Sequence, residues 1–207
     1  FWLKIAELTR GFGDEFGARA YLERAVKNHT RAAKTQPRLL PQVRKLEVQL
    51  QEQRHRCDLL AGDVQPASDA DRVLLARIHL ANERPAEALG YYRQLLGSEE
   101  GRRKLGLLAE GIRAASLAVA KAKHADDRAG FLDQGLKWLE VTVNLCRSEL
   151  ERAPKMIKEA PEELKADLEK TRRQIVAHLA ELEKDPALEA LRGDPRYAKL
   201  FPNQAPR

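Results

Sequence analysis

Cysteine is almost missing from this chain: Cys57 and Cys146 are the only two in 207 residues, far apart and in no CxxC pair. That excludes a disulfide framework and thiolate zinc knuckles, and it suits a reducing, cytoplasmic setting. Each cysteine falls on an apolar helical stripe, where a small buried side chain is the simplest role. Aromatics are scarce at 5%. Val and Ile are thin, and no alternating segment reads as a strand. No apolar run approaches the roughly 18 residues a membrane span needs, and no secretory leader is visible.

Chemistry-bearing patterns are lacking as well. There is no GxxxxGK[ST], no HExxH and no Gly-x-Ser-x-Gly. Gly11, Gly13 and Gly17 make a glycine-rich stretch, but no strand precedes it, so a turn between helices explains it. The five histidines, His29, His55, His79, His124 and His178, stand apart, and His55 and Cys57 fall on different helix faces. Acidic pairs such as Glu99–Glu100, Asp126–Asp127 and Glu162–Glu163 sit at helix starts, where the dipole accounts for them. The expectation is a non-enzymatic chain with no metal or cofactor.

What remains is rich in Ala, Leu, Glu, Lys, Arg and Gln, residues that lose little freedom in a helix. The chain reads as all-α. Helices are predicted over 1–10, from an Asp14 cap to about 35, over 38–61, 69–82, from Pro85 to Gly97, over 101–124 and 126–150, and for about 23 residues from Pro161. Pro154 is expected to interrupt. Over 38–61, Leu39, Val43, Leu46, Leu50, Gln53, Cys57 and Leu60 form a heptad-like seam. It suits either an inter-chain coiled coil or, more simply, one buried stripe within the domain. On the 161–184 helix the expected inner face is Leu164, Leu168, Thr171, Ile175, Leu179 and Leu182. Asp185-Pro186 and Asp194-Pro195 each suit a cap with proline at the first helical position, which folds a short tail back through Leu188, Leu191, Tyr197, Leu200 and Phe201.

Two stretches share a spacing. Trp2, Ile5 and Ala6 are followed by Ala18, Leu22 and Ala25; Leu75, Ala76 and His79 by Ala88, Tyr92 and Leu95. In both, twelve residues separate the small residue of one helix from that of the next. Crossing helices need small residues where their axes meet. This pattern resembles the tetratricopeptide repeat, and the tail from Asp185 to Tyr197 resembles the closing segment of bacterial tetratricopeptide proteins, including helical regions that follow kinase domains in large signalling proteins.

The resemblance implies antiparallel hairpins stacked as a solenoid, with long terminal helices and a short helical cap. The chain divides into a hairpin plus long basic helix over 1–62, hairpins over 69–150, and a capping helix with folded-back tail over 151–207, as one continuous domain. It also implies a protein–protein scaffold from a bacterial protein. Because the chain opens at Phe1 in mid-motif, the expectation is a piece of a longer polypeptide. The implied peptide groove is lined by Leu3, Glu7 and Arg10 on the first helix and by Val73, Arg77 and Leu80, with Ala81, on the 69–82 helix. The family's two-carboxylate clamp needs Lys and Asn where this chain has Val73 and Arg77, so capture of a free C-terminal carboxylate is not implied.

Charge supplies a second candidate. From Arg24 to Arg56 nine basic residues face only Glu47 and Glu52, a net +7, while the whole chain carries +6. Arg24, Lys27, Arg31 and Lys34 step by three and four along one helix face, followed by Arg38, Arg44 and Lys45. Such a ridge is a solvated face or an anion-binding surface, for an acidic protein or for nucleic acid as the alternative partner. With only Tyr21 interleaved, base stacking has little support.

Overall fold

The computed structural model describes residues 1–201, and among these every regular element is helical. Residues 202–207, the end of the expected 151–207 segment, lie outside the described residues. The chain forms two compact units, Phe1–Tyr91 and Tyr92–Arg207.

The first unit opens with α1 (Trp2–Gly11) and α2 (Glu15–Ala33), joined by a turn at Phe12–Asp14. Asp14 caps α2 by accepting from the Gly17 amide at 2.7 Å. Gly13 adopts φ +81°, and a Cβ there would meet the Asn82 side chain at 2.7 Å. Asn82 Nδ2 donates to the Gly13 carbonyl, tying this turn to the end of the fourth helix. A 3-10 turn at Pro37–Leu39 leads into α3 (Leu40–Ala61), and α2 packs against both α1 and α3. Ala6, Ala18, Leu22 and Ala25 are all buried, as axes in close approach require. On α3, Val43, Leu46, Leu50, Gln53 and Cys57 are buried within the chain itself. The heptad-like seam is therefore an intrachain stripe.

Helix α4 (Asp69–Ala81) begins with a capping box. Ser68 Oγ accepts from the Asp71 amide, and Asp71 Oδ2 accepts from the Ser68 and Ala67 amides, each at 3.1 Å. His55 Nε2 lies 3.0 Å from Asp71 Oδ1 and joins α3 to α4. The hydrogen bond from His55, aided by those from Ser68 and Ala67, holds the Asp71 carboxyl down at about 2. Helix α5 (Pro85–Leu95) follows, and His79 stacks on Tyr91 with centroids 5.7 Å apart. Packing thus explains His79, and burial lowers its pKa. The boundary between the units falls inside α5.

In the second unit a single helix over 101–124 does not form. Ser98 caps a short α6 (Glu99–Arg102), and α7 (Leu105–Lys121) starts anew after Lys104. Helix α7 packs along α8 (Ala125–Glu159) through Leu108, Ile112, Ala115 and Val119 on one side and Leu136, Leu139, Val143 and Cys146 on the other. Gly135 brings the α8 backbone close to its neighbours: a Cβ there would lie 3.0 Å from that of Ala115 and 3.2 Å from Leu191. Trp138 is buried against Gly111.

Pro154 does not interrupt α8, which runs 35 residues through it. The proline is exposed, and α9 (Glu162–Lys184) packs alongside α8. The inner face of α9 is thinner than expected. Leu182 is buried and Leu168, Ile175 and Leu179 are half-buried, but Leu164 is 51% exposed and Thr171 is exposed. Along most of its length α9 packs on α8, and only its end meets the tail, so it has less to bury than a core helix. The tail closes as a 3-10 turn (Pro186–Leu188), α10 (Glu189–Arg192) and α11 (Pro195–Leu200). Asp185 and Asp194 cap as expected, accepting from the Ala187 and Arg196 amides at 2.9 and 2.8 Å. Leu188, Leu191, Tyr197 and Phe201 are buried.

Candidate functional site

Helix α2 has two faces. Glu15, Ala18, Leu22, Ala25 and Ala33 are buried, while Arg24, Lys27, Arg31 and Lys34 on the opposite side are exposed. Arg38, Arg44 and Lys45 continue the exposed positive charge along the 3-10 turn and α3. Among the described residues none of these seven makes an ion pair. The other two cations of the 24–56 region do. Arg56 grips Glu15 with both arms, at 3.0 and 2.9 Å, and Arg54 lies 3.4 Å from Glu23.

The Glu15–Arg56 pair belongs to a network that seats α2 on α3. Glu15 is 3% exposed. Its carboxylate accepts from Gln53 Nε2 at 2.5 Å, and its backbone carbonyl accepts from the same nitrogen at 2.9 Å and from Cys57 Sγ at 3.3 Å. Gln53, the one polar residue of the α3 seam, is buried because Glu15 satisfies it. Burial pushes the Cys57 and Cys146 thiols up, so both are poor nucleophiles.

The outer face of α2 also acquires aromatics from another helix. Trp2 of α1 stacks on Tyr21 at 5.9 Å with 13° between the rings, and the Arg24 guanidinium lies 5.2 Å from the Trp2 centroid and 5.8 Å from that of Tyr21. Cation–π contacts of this kind favour one direction for an arginine, modestly at an exposed site. The sequence reading missed the cluster because Trp2 lies nineteen and more positions from Tyr21 and Arg24, and no local spacing announces such a contact.

Three of the six groove positions share a recess. Leu3, Glu7 and Arg10 line a small recess of about 30 Å³ together with Ala6, Leu22, Gln49 and Gln53. A recess of that size has room for a water or two, and Gln49 Oε1 has no protein partner among the described residues. Val73 and Leu80 are half-buried and Arg77 is exposed, all outside that recess. In the second unit an open hollow of about 450 Å³ lies beside Arg113, Glu181, Lys184 and Asp185. Its Arg113 Nε already donates to Asp185 Oδ2 at 2.7 Å. Among the described residues no three His, Cys, Asp or Glu side chains gather as a metal site would need, and no helix is long and apolar enough to cross a membrane.

No protein-family model matches the chain, and neither do any curated proteins or solved structures.

Proposed function

We propose that the chain is a scaffold of tetratricopeptide-like helix hairpins whose first unit docks an acidic protein partner. The hairpin reading is supported by equal burial at equivalent positions: Ala6, Ala18, Leu22 and Ala25 in one stretch, Ala76, Ala88, Tyr92 and Leu95 in the other, all at or below 5% exposure. The observation that carries the docking reading is the outer face of α2. Its cations project away from the core and have no internal carboxylate partner among the described residues, so their charge is available to an incoming anion.

The test compares capture of partners by the full chain with capture by a variant carrying Arg24→Glu, Lys27→Glu, Arg31→Glu and Lys34→Glu, both with nuclease present. A direct, salt-sensitive protein partner retained by the parent and lost by the variant is the expected result. Equal capture by both removes the ridge from the reading.

A second reading has one specific observation behind it. Cations one helical turn apart along an exposed helix also suit a line of phosphates. Retention of nucleic acid by the parent chain, and loss of every protein companion on nuclease treatment, would select that reading.

A further inference from the structure

The outer face of α2 changes character along its length. Phe16, Ala20, Lys27, Arg31 and Lys34 recur at steps of four, seven, four and three, so they share one side of the helix. All five are exposed, opposite the buried Ala18, Leu22 and Ala25. The first half of this face is apolar and the second cationic. Helix α1 enlarges only the first half. It runs antiparallel to α2: Trp2 stacks on Tyr21, and a Cβ at Gly17 would lie 3.0 Å from the Thr9 methyl. Phe1, Leu8 and Phe12 therefore lie alongside residues 14–24, while Lys27, Arg31 and Lys34 continue beyond the start of α1 and Arg38 follows on the 3-10 turn. Phe12 keeps a helical hydrogen bond to the Leu8 carbonyl at 3.1 Å, which sets their side chains next to each other. Phe1 is 89% exposed, Leu8 54%, Phe12 84% and Phe16 49%. A lone exposed leucine is ordinary, but four large apolar residues open on one hairpin mark a contact site.

The charges divide in the same way. Around the first half most are engaged within the chain. Lys4 pairs with Glu7, Asp14 caps α2, Arg19 lies over Phe16, Glu23 meets Arg54, and Arg24 rests on Trp2 and Tyr21. In the second half Lys27, Arg31, Lys34 and Arg38 have no carboxylate partner among the described residues.

We propose that this face takes a helix of a partner protein whose carboxylates and large apolar side chains come in series, acidic over one half and apolar over the other. The inference rests on the acidic-partner reading above and adds the order of the partner's residues. From Phe16 to Lys34 the face is about 27 Å long at 1.5 Å per residue, a length that about eighteen helical residues match. Lys27, Arg31 and Lys34 recur about once a turn, and a helix laid along α2 brings its carboxylates at the same pitch. A helix that mixes glutamate and leucine along its whole contact face sets carboxylates against Phe12 and Phe16 and leucines against the cations, so both halves are mismatched. Nucleic acid suits the second half alone, because Phe1, Leu8, Phe12 and Phe16 have no counterpart on a phosphate backbone.

The experiment titrates the full chain with an eighteen-residue helical peptide whose contact face carries glutamates in one half and leucines in the other. A second peptide holds the same residues on the same face with the two kinds alternating. A glutamate-only half peptide, a single-stranded oligonucleotide and phosphatidylserine-containing vesicles are titrated in parallel. The series peptide is expected to bind at least tenfold more tightly than the alternating one. Lys27→Glu with Arg31→Glu, and separately Leu8→Ser with Phe12→Ser, should each weaken it at least tenfold with the helical circular dichroism signal unchanged. The serine pair should leave the half peptide as it was, since that peptide meets only the cations. Should either pair lose helical signal, Arg31→Ala or Phe12→Ser alone replaces it, with a smaller loss expected. Equal binding of the alternating peptide, indifference to the serine changes, or a half peptide weakened by them overturns the series inference and leaves the acidic-partner reading standing. Indifference to the changes at Lys27 and Arg31 sinks both, as does tighter binding of oligonucleotide or vesicles. Binding of none of the probes overturns the series inference, and the capture comparison above then decides the acidic-partner reading by itself.

Discussion

The closing tail and the outer face of α2 use the same cations in opposite ways. In the tail, Arg192 donates to the carbonyls of Glu183 and Asp185, Arg196 bridges Asp133 and Asp194 at 2.7 and 3.0 Å, and Arg147 donates to the carbonyl of Leu200. Burial pushes the Asp185 carboxyl up, but the hydrogen bonds from Arg113 and the Ala187 amide outweigh it and leave the group below its ordinary value. Each of those arginines ties one segment of the second unit to another. On α2 Lys27, Arg31 and Lys34 tie nothing together, while Arg24 rests on the rings of Trp2 and Tyr21. An arginine whose donors are met by its own chain has a structural reason to be there. One that projects from the far side of a helix does not, and its charge acts on whatever approaches.

The sharpest break of this comparison comes from cores. Trp138 is 4% exposed. Trp138→Ala should cost about 3–5 kcal/mol, because the cavity it leaves beside Gly111 has little means of closing. Denaturant unfolding measures the loss, and binding by the first unit should persist where the second is weakened. Glu15→Ala comes next. It removes one of the two acceptors of Gln53 and leaves Arg56 without its carboxylate, and about 2–3 kcal/mol is a reasonable cost given that Arg56 keeps some contact with water. If Glu15→Ala left stability unchanged, the network would not be what seats α2 on α3.

Asp71→Asn should cost about 1 kcal/mol at neutral pH, the usual size of a lost cap. Its pH dependence carries more information. A carboxyl held at about 2 when folded and near its ordinary value when unfolded adds stability that is full above the unfolded pKa. That stability drains away as pH falls toward 2. The parent chain should therefore lose more stability between pH 5 and pH 2 than Asp71→Asn does, as read by urea midpoints across that range. Parallel curves would remove the His55 and Ser68 contacts from the account.

How much of this the sequence disclosed follows from the range of the interactions. Helices, their caps and the folded-back tail were legible because Asp14, Asp185 and Asp194 act on amides two or three residues away. The all-α class followed from composition and from the lack of alternating segments. Pro154 misled because it falls on the exposed side of α8, where the helix runs on through it. Leu164 and Thr171 misled because a periodic stripe says which residues share a face, not whether anything lies against all of it. For the candidate site, the exposure of Arg24, Lys27, Arg31 and Lys34 was readable from spacing alone. The Trp2–Tyr21–Arg24 cluster and the Gln53–Glu15 contact were not, since each joins residues from different helices. The positions Leu3, Glu7 and Arg10 were placed together by the repeat resemblance and do share a recess, while Val73, Arg77 and Leu80 lie elsewhere.

The smallest expected effect is the one that separates the two regions most cleanly. Replacing Lys27, Arg31 and Lys34 with alanine removes three charges that make no ion pair among the described residues. Exposed changes of this kind fall within about 0.5 kcal/mol, and alanine's helix propensity offsets part of what is lost. Relief of repulsion between cations one turn apart could even raise the melting temperature slightly, since like charges at that spacing oppose each other. Arg192→Ala in the tail removes one charge and should cost more, because the carbonyls of Glu183 and Asp185 lose a donor in a partly buried place. Paired melting curves at low and high salt decide the matter. If the triple variant is the less stable of the two, the ridge is part of the fold. If it matches or exceeds the parent while Arg192→Ala falls below, the charge on α2 contributes nothing to folding, as a solvated or partner-facing ridge requires.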